Sequence, residues 1–151
     1  MQNLIWADFK DLDRDQLYDL LQLRNEVFVV EQQSLFPDID GLDRHARHLL
    51  LLIDRNLAGY LRLRGPDHGD EITLSRVVLR KSARGQGLGR VLMEAAIAES
   101  GRLYSQSPIK LSAQIEQEAF YGSLGFVRVP GEPYDDAGIL HVDMIFGKTA
   151  R

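Results

Sequence analysis

Apolar positions along this chain switch repeatedly between two spacings. Leu4 to Phe9 is a short β-compatible run; behind Asp13 and Asp15, either of which can cap a helix, Leu17, Leu20, Leu21 and Phe28 recur at helical spacing. An acidic, turn-rich stretch from Gln33 to Arg47 follows. His48 to Asp54 and Leu57 to Arg64 are apolar runs joined by Arg55-Asn56, the pattern of a hairpin. Ile72 to Leu79 reads as a further strand, and Gly89 to Glu99 as a helix with Leu88, Val91, Leu92 and Ala95 on one face. In Ile109 to Ala113, Ile109, Leu111 and Ala113 alternate against Lys110 and Ser112, which predicts a half-buried strand. Glu116 to Leu124 reads as a short helix stopped by Gly125, a residue suited to the left-handed conformation past a helix end. Val127 to Val129 and His141 to Phe146 close the pattern, separated by a loop containing Pro130, Gly131, Pro133 and Gly138. This order predicts an α/β chain of the α+β type, with a mixed sheet and helices on both faces.

Composition narrows the class. The 151 residues are 44% hydrophobic and 26% charged, so one domain spanning 1–151 is expected, without repeat or linker. There is no cysteine, which excludes disulfides, thiolate metal sites and an acyl thioester on the protein itself. The formal charge of -4 does not favour nucleic acid or anionic lipid as a partner. The N-terminus does not read as a signal peptide and no apolar run approaches membrane-spanning length, so a cytoplasmic location is expected.

The chemistry is concentrated in Arg76-Val77-Val78-Leu79-Arg80-Lys81-Ser82-Ala83-Arg84-Gly85-Gln86-Gly87-Leu88-Gly89, a β-run and a basic turn with glycines opening an amphipathic helix. A helix start offers unpaired N–H groups and the positive end of its dipole, and glycines let a phosphate approach that backbone. Arg84 adds a fixed charge. A dinucleotide fingerprint would need glycine where Arg90 stands, and a P-loop would need a Gly-Lys-Ser/Thr ending that is absent. A helix start that merely needs a tight turn is the plain alternative.

The spacing Arg84-x-x-Gly87-x-Gly89 after a strand resembles the pyrophosphate-binding motif of the GNAT superfamily of N-acetyltransferases. Gln114 and Ala119-Phe120-Tyr121-Gly122-Ser123-Leu124-Gly125-Phe126 resemble the closing helix of that superfamily. The chain is similar to its ElaA-like subgroup through Leu23-Arg24, Val27 to Gln32, Asp38-Ile39-Asp40-Gly41, His48, Tyr134 to Ile139 and His141. The resemblance implies a mostly antiparallel twisted sheet of about six to seven strands. It also implies acetyl-CoA as cosubstrate and direct transfer of acetyl to an amine, small-molecule or peptide, with no acetyl-enzyme. On that reading Val77, Val78 and Leu79 meet the pantetheine arm and acetyl carbonyl, where an N–H stabilises the oxyanion. Arg84, Gly85, Gln86, Gly87, Leu88 and Gly89 hold the pyrophosphate, with Gln114 also on the cofactor side. Tyr121 matches the general acid, a phenol that stays protonated at neutral pH and can donate toward the departing sulfur.

The base is less defined. Thr73 stands where some members of the superfamily carry a glutamate; Glu31, Glu71, His48 and His141 are candidates, with His141 and Glu31 favoured, and a water chain is an alternative. In Asp38-Ile39-Asp40-Gly41-Leu42-Asp43 the glycine falls too early for a calcium loop and Leu49 replaces its closing glutamate, so no metal is expected. Asp38, Asp40 and Asp136 are instead candidates to attract a cationic amine. A noncatalytic module that senses acetyl-CoA is the competing function. Neither the acceptor nor the oligomeric state, including a homodimer, is written in these motifs.

Overall fold

The structure, a computed structural model, describes residues 1–66 and 70–147. Eight strands form one sheet: β1 Gln2–Asp8, β2 Arg47–Ile53, β3 Asn56–Arg64, β4 Ile72–Leu79, β5 Ile109–Gln114, β6 Val127–Arg128, β7 Tyr134–Asp136 and β8 Ile139–Phe146. Their order is β1-β2-β3-β4-β5-β8-β6, with β7 hydrogen-bonded to β8. Only β4 and β5 run parallel, as expected for a pair joined by a crossover helix. The sheet is mostly antiparallel, as expected, with one strand beyond the about six to seven read from the sequence. The addition is β7, whose three residues are all exposed, so no burial alternation marked it in the sequence.

Helices cover both faces. α1 (Arg14–Arg24) is capped by Asp13, whose carboxylate accepts from the Gln16 backbone N–H at 2.8 Å while the Gln16 side chain accepts from the Asp13 N–H at 2.9 Å. It continues into a π-helical stretch, Asn25–Glu31, a wider winding frequent beside functional sites. Leu20, Leu23 and Val27 pack on Leu50, Leu57, Tyr60 and Val78. On the opposite face α2 (Leu88–Leu103) lays Leu88, Leu92, Met93 and Ala96 against Leu49, Leu61, Leu74 and Leu111. Each such fully buried leucine contributes roughly 2 kcal/mol of hydrophobic stabilisation. α3 (Glu118–Ser123) closes through Gly125 at φ 105°, with the Phe126 N–H reaching the Tyr121 carbonyl at 3.1 Å.

Two irregularities shape the middle of the sheet. Between Tyr60 and Arg62 of β3, β4 advances one residue further, from Val78 to Ser75, which makes a bulge at Arg76–Val77. Arg76 has φ 56°. The extra residue reverses the parity of the strand. Ile72 and Leu74 face α2 before the bulge, whereas after it Val77 and Leu79 pack toward α2 and Val78 faces α1. The second irregularity is the β4–β5 seam, where pairing is confined to Ile72 with Ile109 and Thr73 with Lys110, so the strands diverge beyond those residues.

A polar cluster lies under the loop between the π-helical stretch and β2. Arg24, with 0% exposure, donates to Asp38 Oδ2 at 2.9 Å and Asp43 Oδ1 at 2.8 Å. Arg62 donates to both Asp40 oxygens, at 2.8 and 2.9 Å, and to Asp43 at 2.9 Å. Arg76 pairs with Asp38 at 2.7 Å. Asp38 and Asp40, expected to attract an amine, are thus spent on neutralising buried guanidinium groups, which burial makes necessary. His48 is also fully buried, between the Tyr60 hydroxyl at 2.6 Å and the Asp43 carbonyl at 2.9 Å. A carbonyl only accepts, so Nε2 carries the proton and Nδ1 accepts from Tyr60. His48 is therefore a core residue and not a base at an open site.

Candidate functional site

The divergence of β4 from β5 opens a cleft of about 680 Å³ through the middle of the sheet. Thr73, Ser75 and Val77 of β4 and Ser112 and Gln114 of β5 line it, with Phe28, Gln32 and Phe36 on one side and Asp136, Ile139 and His141 on another. Of the residues singled out in the sequence, Val77, Val78, Leu79, Arg84, Gly85, Gly87, Leu88, Gly89, Gln114, Tyr121 and His141 border this one cleft. Gln86 and Glu31 do not: Gln86 donates to the Ser82 carbonyl at 3.3 Å, and Glu31 pairs with Arg84.

One end of the cleft is suited to an anion. Gly85 and Gly87 have φ of 79° and 77°, and a Cβ on either would meet no atom within 4 Å, so this backbone faces open space. Gly87 is the N-cap of α2, without a side-chain cap and without an acidic residue in the first turn. The first amides and the positive end of the helix dipole are therefore left without a carboxylate from the protein. Open glycine backbone at an uncapped helix start is suited to an anion such as a phosphate group. Arg84 is held beside it, donating to Glu31 at 2.6 and 3.0 Å and to the Leu79 carbonyl at 3.1 and 3.2 Å. The guanidinium keeps the Glu31 carboxyl below its ordinary range, through hydrogen bonds that outweigh its slight desolvation.

The middle of the cleft is where β4 bulges. Because pairing with β5 has already ended, the backbone from Arg76 to Leu79 borders the opening instead of a neighbouring strand. Tyr121 reaches this region from α3, edge-on to Phe120 with centroids 5.1 Å apart and to Phe126 at 6.1 Å. Among the described residues its hydroxyl has no hydrogen-bond partner. Burial pushes the phenol up to about 12, so it remains a proton donor throughout the neutral range.

The far end carries polar groups on the sheet face that α1 leaves uncovered. Gln114 donates to Gln32 at 3.1 Å, linking the end of β5 to the end of the π-helical stretch. His141, paired with Gln114 across β5 and β8, places Nδ1 2.8 Å from the Ile139 carbonyl and stacks on Tyr134. Arg76, Ser75, Ser112 and Gln32 also border the cleft; the sequence carried Arg76 and Gln32 only within longer motifs and gave none of the four a role. For Ser112 the signal was present, as the polar position of an alternating strand; for Arg76 it was not, because a bulge leaves no pattern of its own.

Comparison with known proteins agrees with this geometry. Residues 10–147 match the acetyltransferase (GNAT) domain family. The chain is 42% identical over 146 residues to a UPF0039 protein of Synechocystis, covering 95% of this chain and 94% of that protein. It is 37% identical over 144 residues to protein ElaA of Escherichia coli, covering 92% and 94%. Among solved structures, an acyl-CoA N-acyltransferase of Pseudomonas aeruginosa superposes with a TM-score of 0.92 at 42% identity, covering 97% of this chain and 100% of that one. From the match along nearly its whole length and from a cleft set between two parting strands, the chain belongs to the GNAT acetyltransferase family, in the group that includes ElaA.

Proposed function

We propose that the protein transfers the acetyl group of acetyl-CoA to an amine, small-molecule or peptide, with no acetyl-enzyme. The observation that carries this reading is the alignment along one cleft of an uncapped helix start, a bulged strand and a phenol whose hydroxyl has no hydrogen-bond partner among the described residues. Gly85 to Gly89 and Arg84 hold the pyrophosphate, while Gln86 shapes the loop through Ser82. Glu31 sets the position of Arg84 through their two-point ion pair.

The amine nitrogen attacks the thioester carbonyl, so a C–N bond forms as the C–S bond breaks. Backbone N–H groups of the stretch from Val77 to Leu79 stabilise the negative charge that develops on oxygen. Tyr121 donates its O–H to the sulfur as it leaves. A phenol near 12 is a weaker acid than an ordinary thiol near about 8.5. Its contribution is therefore a hydrogen bond that strengthens as sulfur gains charge, with full proton transfer favoured only while the sulfur is itself desolvated. His141, on the acceptor side, first takes a proton from the acceptor's ammonium, which frees the nitrogen lone pair to attack. The reaction takes place in the cytoplasm; among the described residues no helix is long and apolar enough to cross a membrane.

The test is release of coenzyme A thiol from acetyl-CoA by purified protein against a panel of amines, with the product identified by mass spectrometry. Tight binding of acetyl-CoA without thiol release on any amine supports a sensor instead. Absence of calorimetric heat with coenzyme A sinks both.

A further inference from the structure

Ser112, Tyr134, Asp143 and Lys110 form a chain of polar groups at the acceptor end of the cleft, and its direction is fixed. The Lys110 ammonium lies 3.7 Å from one oxygen of Asp143, while the other oxygen accepts from the Tyr134 hydroxyl at 2.6 Å. A phenol has one proton, and here the carboxylate takes it. The Tyr134 oxygen, also in contact with the Ser112 hydroxyl, is left as an acceptor in that pair. Ser112 must then donate to Tyr134, which leaves its oxygen purely an acceptor toward the cleft that the residue borders. A lone serine rotates to suit either a donor or an acceptor, but this one is committed.

We infer that Ser112, oriented by Tyr134 and Asp143, is the point at which the acceptor is recognised, and that it selects a primary amine, whose nitrogen keeps an N–H once acylated, over a secondary amine, whose nitrogen does not. The inference rests on the acetyl-transfer reading and adds a residue-level basis for acceptor choice. The register of the sheet supports it. Ser112 shares its face of β5 with Gln114 and lies two rungs from the Gln114–His141 pair, with Asp143 directly opposite it on β8. An amine entering the cleft beside His141 therefore meets one hydrogen-bond acceptor of set direction. Tyr134 and Asp143 act through Ser112 and are positioning residues.

The experiment uses coenzyme A alkylated on sulfur with an N-propylacetamide arm, which carries the amide N–H where the acylated amine would sit. A second probe has the same arm N-methylated, and plain coenzyme A serves as reference. The secondary amide should bind the natural sequence about tenfold more tightly than the N-methyl probe, the worth of one good hydrogen bond. Ser112→Ala should erase that preference without changing affinity for coenzyme A. Tyr134→Phe and Asp143→Asn should each reduce the preference, and adding either to Ser112→Ala should have no further effect. A merely structural role for these residues would weaken both probes equally. Undiminished preference in Ser112→Ala, or additive losses in the double variants, overturns the inference and leaves acetyl transfer intact. Failure of every form to bind coenzyme A overturns both.

Discussion

The Arg76 guanidinium lies 2.7 Å from Asp38, so the strained residue of the β4 bulge is tied directly to the loop that lines one side of the cleft. Its guanidinium also stands 5.2 Å from the Phe36 ring centroid and donates to the Asp38 carbonyl at 3.0 Å. A non-glycine residue at φ 56° is costly, and these contacts hold it there.

Arg76→Gly separates the two parts of that arrangement, since glycine accepts the backbone angle but makes no ion pair. The variant should lose about 2 kcal/mol in urea unfolding, because Asp38 keeps Arg24 but loses its second partner. It should also lose turnover more than coenzyme A affinity. Equal stability would show that the loop is held without Arg76.

Tyr121→Phe should unfold at nearly the same urea concentration, because the hydroxyl has no hydrogen-bond partner among the described residues to lose. Acetyl transfer should slow about 100-fold with the coenzyme A affinity retained. Unchanged turnover would remove the assignment.

Arg84→Ala should weaken coenzyme A about tenfold and flatten the salt dependence of binding, as expected on removing a charge at a diphosphate. Glu31→Gln frees the same guanidinium and removes a negative charge, so it should bind coenzyme A more tightly. Isothermal titration at two ionic strengths distinguishes these outcomes.

In the pH profile of turnover, His141→Ala should lose the limb that reports deprotonation of the base, while Glu31→Gln should keep it. Glu31 is held ionised by Arg84 well below neutrality and gives no proton step there. A profile altered by Glu31→Gln and untouched by His141→Ala would reverse the two roles.

Stability should fall in acid in two stages. Burial depresses His48 from its ordinary 6.5, and Asp43, Arg24 and Arg62 also face the ring. The unfolded chain therefore takes up this proton first, and stability present above pH 6.5 declines as pH falls through the depressed value. Asp40 and Asp43, lowered by their arginine partners against the cost of burial, add a second loss below their ordinary 3.8. Urea midpoints measured from pH 8 to 3 should show both slopes, and His48→Gln should remove only the first.

The sequence revealed most of this molecule wherever periodicity or a glycine carried the information. The Ile109-Leu111-Ala113 alternation and the Asp13 cap are found as strand and helix start, and the Arg84-x-x-Gly87-x-Gly89 spacing opens α2. What stayed hidden depends on partners distant along the chain. Nothing local tells that Asp38 and Asp40 meet Arg24, Arg62 and Arg76 instead of solvent, or that Arg84 is taken up by a carboxylate 53 positions earlier. Tyr134 was visible as part of a motif, yet its link to Ser112 and Asp143 required the pairing of β5 with β8.

Where β4 parts from β5 after Thr73 and Lys110, the ladder stops with rungs still to be made. An extended guest that carries amides of its own can supply them, and so finishes a piece of secondary structure that the polypeptide leaves incomplete. Occupancy and folding are then linked by mass action: at a hundred times its dissociation constant such a guest adds about 2.7 kcal/mol to the resistance to unfolding. Melting temperature, measured with one thioester after another, therefore tests the proposed occupancy of the seam.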